Sequence, residues 1–479
     1  MLDEDVVNKG LRNSNERFLV VNVLIMVLLP AVCLGGTSSA IIGLFCALGI
    51  IAPINTLNYI YSWSTSLEKP VSAYVLAVAP FVAAIFITVA ASFNNVLIPV
   101  ETGTGAFYSL DATPTNSPVL ASDGMLNPLL SDFTALAAVL CGLSVYFITD
   151  SRFVIRKIIC WTAFLSAMLM LLGCFLSFML NFKGTFFYET KSPYFSTFAD
   201  ASQWATFALV WLGGALAMAV YSPQKFRQLS FFYSMKFWSL FTAGVLWCGI
   251  MFAGKPLHCL LANAVCAVAC AFIAGDLAPL KFNARRHEML RHITSHSKRL
   301  EKLVPWFLSY AAAAVVFALV AVYVGCKING DRRLLLAENS ASAPIAYAEK
   351  SALWEDTAKM VKSHLLFGYG SASFAPAFAF YQGSDIGSSP WSTPHSDLLH
   401  KVAENGIVGL ALSCITFAGF LLVWLFRHSF SLSGLVMLAT LLSVAAVSVF
   451  ESPLQSPAVL VSFWVLAMAF FRWDNAAVG

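Results

Sequence analysis

Runs of roughly twenty consecutive apolar residues recur along this chain, and they decide its fold class before any motif is considered. A segment of about that length crosses a bilayer as a helix, because a helix satisfies every backbone N–H and C=O internally. The chain has 479 residues, 59% of them hydrophobic and 11% charged, with a mean hydropathy of +0.75. A soluble protein would carry about a quarter charged residues. A membrane β-barrel would alternate inward and outward residues over segments of about ten residues, and no such alternation occurs. We therefore expect an all-α polytopic membrane protein with about twelve transmembrane helices. By length they fall at 18–36, 40–60, 71–93, 131–149, 157–180, 204–221, 237–254, 257–275, 305–326, 406–426, 431–450 and 458–471. The first run has Arg12 and Arg17 nearby but no small-residue cleavage pattern after it. It reads as a span rather than a signal peptide.

Basic residues set the expected orientation. With the N-terminus in the cytoplasm, 19 of the 29 Lys and Arg residues fall on inside segments. Seven of the other ten lie in one long outer segment, 327–405, where the positive-inside bias is weakest. The outer loop 94–130 contains neither Lys nor Arg. Both termini are then cytoplasmic. The chain divides into an N-terminal bundle at 1–326, an outer loop at 327–405 and C-terminal spans at 406–479.

The eleven cysteines sit mostly inside apolar runs and form no C-x-x-C pair. They read as small apolar fillers rather than as a zinc or redox motif. The inner segment 276–304 is strongly basic, with His287, His292 and His296 interspersed. A positive-inside anchor explains it, and a lipid-headgroup or metal site on the His292–His296 face stays open. Within the loop 327–405, Ala346 to His364 has helical periodicity. Leu353, Trp354, Ala358, Met360 and Val361 make an apolar stripe, with Glu349, Glu355, Asp356, Lys359 and Lys362 mainly off it. Gly368 and Gly370 end the helix. We expect it to lie near the outer membrane boundary.

Chemistry concentrates where that loop meets the tenth span. Pro394 to Gly409 is polar and ionisable, and it opens directly into an apolar helix. Ionisable groups are costly beside lipid and mark function. His395 titrates near neutrality and can accept a hydroxyl proton, although on residue chemistry alone a hydrogen-bonded loop histidine near the headgroups is the commoner case. Lys255 interrupts an apolar stretch between the seventh and eighth spans; it either snorkels to the interface or binds an anion. Lys350 precedes Trp354 by one helical turn, so both can face one way. Arg332 and Arg333 open the same loop. Glu404 has the charge that suits a helix N-terminus. Gly406 and Gly409 permit close approach of another segment.

The pattern His395-x-x-Leu398-Leu399-x-x-x-x-Glu404-x-Gly406-x-x-Gly409 resembles the signature of the O-antigen ligase and O-antigen polymerase superfamily. Trp354, followed by Gly368-Tyr369-Gly370-Ser371-Ala372-Ser373-Phe374, is similar to the family's loop tryptophan and Gly-x-Gly-x-x-x-Phe turn. Lys183-Gly184-Thr185-Phe186 and Glu451-Ser452-Pro453-Leu454 resemble further elements. The resemblance implies transfer of a glycan from an undecaprenyl-diphosphate carrier to a hydroxyl acceptor at the outer face of the bacterial inner membrane. The acceptor is lipid A-core in ligases and a growing glycan in polymerases. It implies His395 as the base or acceptor-orienting group, with no metal, nucleotide or other cofactor. Its partners are the lipid-linked donor, the acceptor and membrane lipids, and no nucleic acid.

Family members hold the diphosphate with two arginines, and the corresponding positions here are Lys255 and Lys350. Lysine offers a point charge where arginine offers a bidentate fork. The implied site is therefore a divergent one, or it draws on Arg332 and Arg333, or it has lost catalysis. No Gly-x-x-x-x-Gly-Lys-Ser/Thr sequence occurs, as suits a donor that is already activated. A polysaccharide transporter or flippase is the reading of a different class. It calls for charged residues lining the middle of spans, where Asn22, Asn55, Asn58 and Asn263 are the main polar residues.

Overall fold

The computed structural model describes residues 4–33, 39–63, 71–102, 105–110, 117–122, 125–149, 151–179, 184–185, 188–189, 197–198, 200–221, 235–277, 347–386, 391–426 and 431–473. The expected span 305–326, most of the basic segment 276–304, and Arg332 and Arg333 lie outside these residues. Among the described residues, ten helices are long and apolar enough to cross a membrane. They are α1 (Glu4–Val32), α2 (Ser39–Trp63), α3 (Val71–Ser92), α4 (Leu126–Ile148), α5 (Arg152–Met179), α6 (Ala201–Tyr221), α7 (Met235–Ala253), α8 (Pro256–Leu277), α11 (Asp397–Phe426) and α12 (Leu432–Phe450). A shorter apolar helix, α13 (Pro457–Trp473), follows. Two further helices, α9 (Tyr347–Ser363) and the short α10 (Phe374–Phe378), belong to the polar segment before α11. The architecture is all-α and polytopic, with two short antiparallel hairpins at its edge: β1 (Leu97–Thr102) with β2 (Gly105–Leu110), and β3 (Gly184–Thr185) with β4 (Tyr188–Glu189).

The bundle is built around α6. Almost all of this helix is buried, as expected for one that is apolar on every side. It packs against α5, α7, α8, α12 and α13. Midway along it, the buried Trp211 indole donates to Ser462 Oγ at 3.1 Å. At the periphery the pattern inverts. Leu76 is 75% exposed and Phe86 68% exposed on α3. In water such a surface would drive aggregation, whereas lipid solvates it. One end of the bundle is closed by a reciprocal pair of arginine bonds. Arg152 donates to the Trp473 carbonyl at 2.9 Å, and Arg472 donates to the Thr149 carbonyl at 2.7 Å.

The opposite end carries a cap with its own apolar core. Leu353 and Met360 of α9 meet Tyr369, Phe374, Phe378 and Ile386, together with Val96, Val119 and Ala121 from beyond α3. The expected amphipathic helix is present with nearly its expected bounds. One of its polar residues departs from the pattern: Asp356 is buried, because it accepts the Gly383 N–H at 2.8 Å and Lys359 Nζ at 2.8 Å. Periodicity alone places it on the wet face; a local backbone donor draws it in.

Cap and bundle are joined by one backbone interlock. The helix α11 starts nine residues before the apolar run, and it is broken at Gly406, whose φ of 64° and ψ of −170° are available essentially to glycine alone. The break exposes carbonyls on one side and N–H groups on the other. Residues 364–370 fill both. Tyr369 and Gly370 donate to the carbonyls of Ala403 and Glu404 at 3.0 and 2.7 Å. Ile407 and Val408 donate to the carbonyls of Leu365 and Leu366 at 3.0 and 3.1 Å. The approach is so close that a Cβ at Gly406 would lie 2.2 Å from the Leu366 carbonyl oxygen, and one at Gly368 would lie 2.4 Å from that of Glu404. Gly406→Ala is therefore expected to cost about 2–4 kcal/mol through backbone strain and overlap. Thermal unfolding of the detergent-purified variant would show a lowered midpoint.

Candidate active site

His395 sits in the turn that opens α11. Its φ of +50° is rare for a residue with a side chain, and neighbours on both sides hold it there. Ser396 caps the helix, its Oγ accepting the Leu399 N–H at 3.3 Å. The turn after α12 grips the next residue: Asp397 N–H donates to the Glu451 carbonyl at 3.1 Å, and Asp397 Oδ2 accepts the Leu454 N–H at 3.0 Å. Before the histidine, the Trp354 indole donates to the Pro394 carbonyl at 2.9 Å. The Trp391 ring meets the imidazole edge to face, with centroids 5.9 Å apart.

Lys350 and Trp354 do share a face of α9. The lysine Nζ lies 5.5 Å from the centre of the Trp354 ring. It donates to the Phe450 carbonyl and stands 4.0 Å from Glu451 Oε1. Trp354 stacks on Phe450 at 6.3 Å. Lys255 sits in the turn between α7 and α8, next to Gly254 with φ +62°. It is near enough to act electrostatically on both His395 and Glu451. Asp200 acts on the same two groups from the N-terminus of α6, where its carboxylate accepts the Ser202 N–H at 3.0 Å. Five elements remote in sequence thus bring two lysines and an aspartate within electrostatic reach of the His395 imidazole and of the Glu451 carboxylate.

The electrostatics of that cluster suit a neutral base. Burial, reinforced by Lys350 and Lys255 and opposed by Asp200, pushes the His395 pKa below its ordinary 6.5. The imidazole is then unprotonated at neutral pH and can accept a proton. Burial raises the Glu451 carboxyl above the usual range, against the pull of Lys255 and Lys350.

The remaining motif residues gather beside this cluster, in the interlock. Gly368, Gly370 and Gly406 make the close backbone approach just described. Gly409 accommodates the Asn405 side chain, whose Cβ would lie 2.2 Å from a Cβ placed there. Glu404 does not serve the N-terminus of the span, as its position in the sequence suggests. It is buried before the break, accepting the Phe374 N–H at 3.1 Å, with His400 Nε2 at 3.3 Å. The helix terminus it caps is that of α10, from the Gly-x-Gly-x-x-x-Phe turn. A buried polar chain extends from here: Asn405 Nδ2 donates to Ser371 Oγ, which donates to Asp132 of α4, and Thr88 of α3 donates to the other Asp132 oxygen. Sequence reasoning missed Asp200, Asp132 and Ser371 and assigned no role to the Glu451 side chain. The one legible signal was an acid close to the end of an apolar run, just before one at 200 and just after one at 451.

Fold and site together define a membrane-spanning helical bundle with a histidine-and-lysine cluster at its capped end. Residues 233–414 match the family model described as O-antigen ligase. The matched stretch contains Lys255, Lys350, Trp354, His395 and the motif through Gly409. No curated protein matches the chain. Over that stretch, which is less than half of its length, this integral membrane protein is similar to the O-antigen ligase family.

Trp354→Phe keeps the ring but removes the donor to Pro394. About 1 kcal/mol of local stability should be lost, read as faster amide hydrogen exchange at residues 394–399 with the bundle unchanged.

Proposed function

We propose that this protein transfers a glycan from an undecaprenyl-diphosphate carrier to a hydroxyl of lipid A-core, at the outer face of the bacterial inner membrane. The observation that carries the reading is the convergence of His395 with Lys255 and Lys350. In this reaction the acceptor hydroxyl attacks the anomeric carbon and the carbon–oxygen bond to the diphosphate breaks. His395 takes the hydroxyl proton. The diphosphate leaves with an added negative charge, which Lys255 and Lys350 stabilise. Arg332 and Arg333, from the same loop as Lys350, are candidates to strengthen that hold. The donor supplies its own activation, so the reaction needs neither nucleotide nor metal. Trp354 and Trp391 of the cap pack on the turn that carries His395, which favours exclusion of competing water. Both termini are cytoplasmic in this orientation, which puts the Arg152–Arg472 end inside, as the positive-inside rule prefers.

The test is transfer by purified protein in detergent, with an undecaprenyl-diphosphate glycan as donor and lipid A-core as acceptor. Loss of the base in His395→Ala should lower the rate by roughly 10²–10⁴-fold. An undiminished rate removes the histidine from the mechanism. In a deletion strain, a ligase leaves polymer on the carrier, whereas a polymerase leaves single repeat units attached.

Two further outcomes follow from the charges. The proton acceptor is the unprotonated imidazole, so the rate should climb with pH through a value below 6.5 and be level at neutral pH. Lys350→Arg should retain transfer because the cation persists and gains a bidentate grip. Lys350→Ala should lose roughly 10-fold or more. Initial rates across pH 5–8 and for the two variants check both.

A further inference from the structure

We propose that Glu451 is an internal stand-in for the donor's diphosphate. Its carboxylate sits with the two lysines between turnovers, yields when the diphosphate arrives, and returns to help the spent carrier diphosphate leave. This rests on the reading of Lys255 and Lys350 as the diphosphate-binding cations.

A carboxylate beside two cations that must bind an anion competes with the ligand, so its presence requires a physical reason. The pairing is loose. Glu451 Oε1 is 4.0 Å from Lys350 Nζ, well beyond the roughly 2.8 Å of a tight charge-assisted bond. Both side chains keep about a quarter of their surface open, at 22% and 24%. The main chain of Glu451 is clamped, its N–H to the Val447 carbonyl at 2.8 Å and its carbonyl to Asp397 N–H at 3.1 Å. The side chain can therefore swing away without moving the turn that holds His395. Lys350 also remains in place when the carboxylate leaves, because its second partner is the Phe450 carbonyl.

The competition is graded by charge. A singly charged carboxylate at 4.0 Å cannot outbid a diphosphate bearing two or more charges on arrival. It does remain tethered at high local concentration, so it recaptures the lysines once the diphosphate loosens. Together with Asp200 it also offsets the two cations between turnovers. Tight product binding is a common limit on turnover, and an intramolecular anion relieves it without a new site.

The test compares wild type, Glu451→Gln and Glu451→Asp in detergent, with undecaprenyl diphosphate as the probe in direct binding. Removing the competitor should tighten binding by roughly three- to fivefold in Glu451→Gln at low salt, and the gain should shrink as salt rises. Glu451→Asp should stay near wild type. Product release should slow relative to chemistry in Glu451→Gln, so the ratio of multiple-turnover to single-turnover rate should fall. A purely structural role would weaken binding instead and leave that ratio where it is. Equal or weaker binding in Glu451→Gln, or an unchanged ratio of the two rates, overturns the proposal. If the wild type fails to bind undecaprenyl diphosphate, the parent reading of the two lysines falls instead.

Discussion

The break in α11 at Gly406 is the constraint on which the rest of the site depends. A span that starts inside a polar segment exposes N–H groups where water becomes scarce, and leaving them unpaired would cost several kcal/mol each. Here residues 364–370 answer both sides of the break with four backbone bonds. The cap is thereby registered to the bundle by main chain, whose positions do not depend on side-chain rotamers. Once the register is set, α9 can bring Lys350 and Trp354 down onto Phe450 and Pro394, and His395 falls between them.

The charge arrangement follows from that register. Two lysines and two carboxylates surround an imidazole that burial keeps unprotonated. Each member comes from a different element, so no single helix defines the site, and each is held by a backbone contact or turn nearby. The buried chain from Asn405 through Ser371 to Asp132 and Thr88 ties the same cap segment to α3 and α4. A buried carboxylate is tolerable there because three polar partners meet it or its neighbours.

Much of this was legible in the sequence, but unevenly. Spans were readable because membrane crossing demands a length, and α9 because a helix on a wet surface shows its period. Helix starts were not: α4, α5 and α11 each begin about five or more residues before their apolar runs, since hydropathy reports lipid contact while helices continue into polar ground. His395 stood out as a titratable group at a span boundary. Gly406 was readable as a point of close approach, but the segment that approaches it was not, because backbone pairing leaves no side-chain signature. For the same reason Glu404 was assigned to the wrong helix terminus. Asp200 and Glu451 lay in plain view as acids at the ends of apolar runs, yet only the fold shows that they act on one another.

The interlock also bears on how the chain is made. Residues 364–370 are synthesised before the span they complete. When the second half of α11 reaches the membrane, the carbonyls that its first N–H groups require are already present on the segment just ahead of it in the chain. In the folded protein the depth of that helix and the position of the polar cap are thereby fixed together.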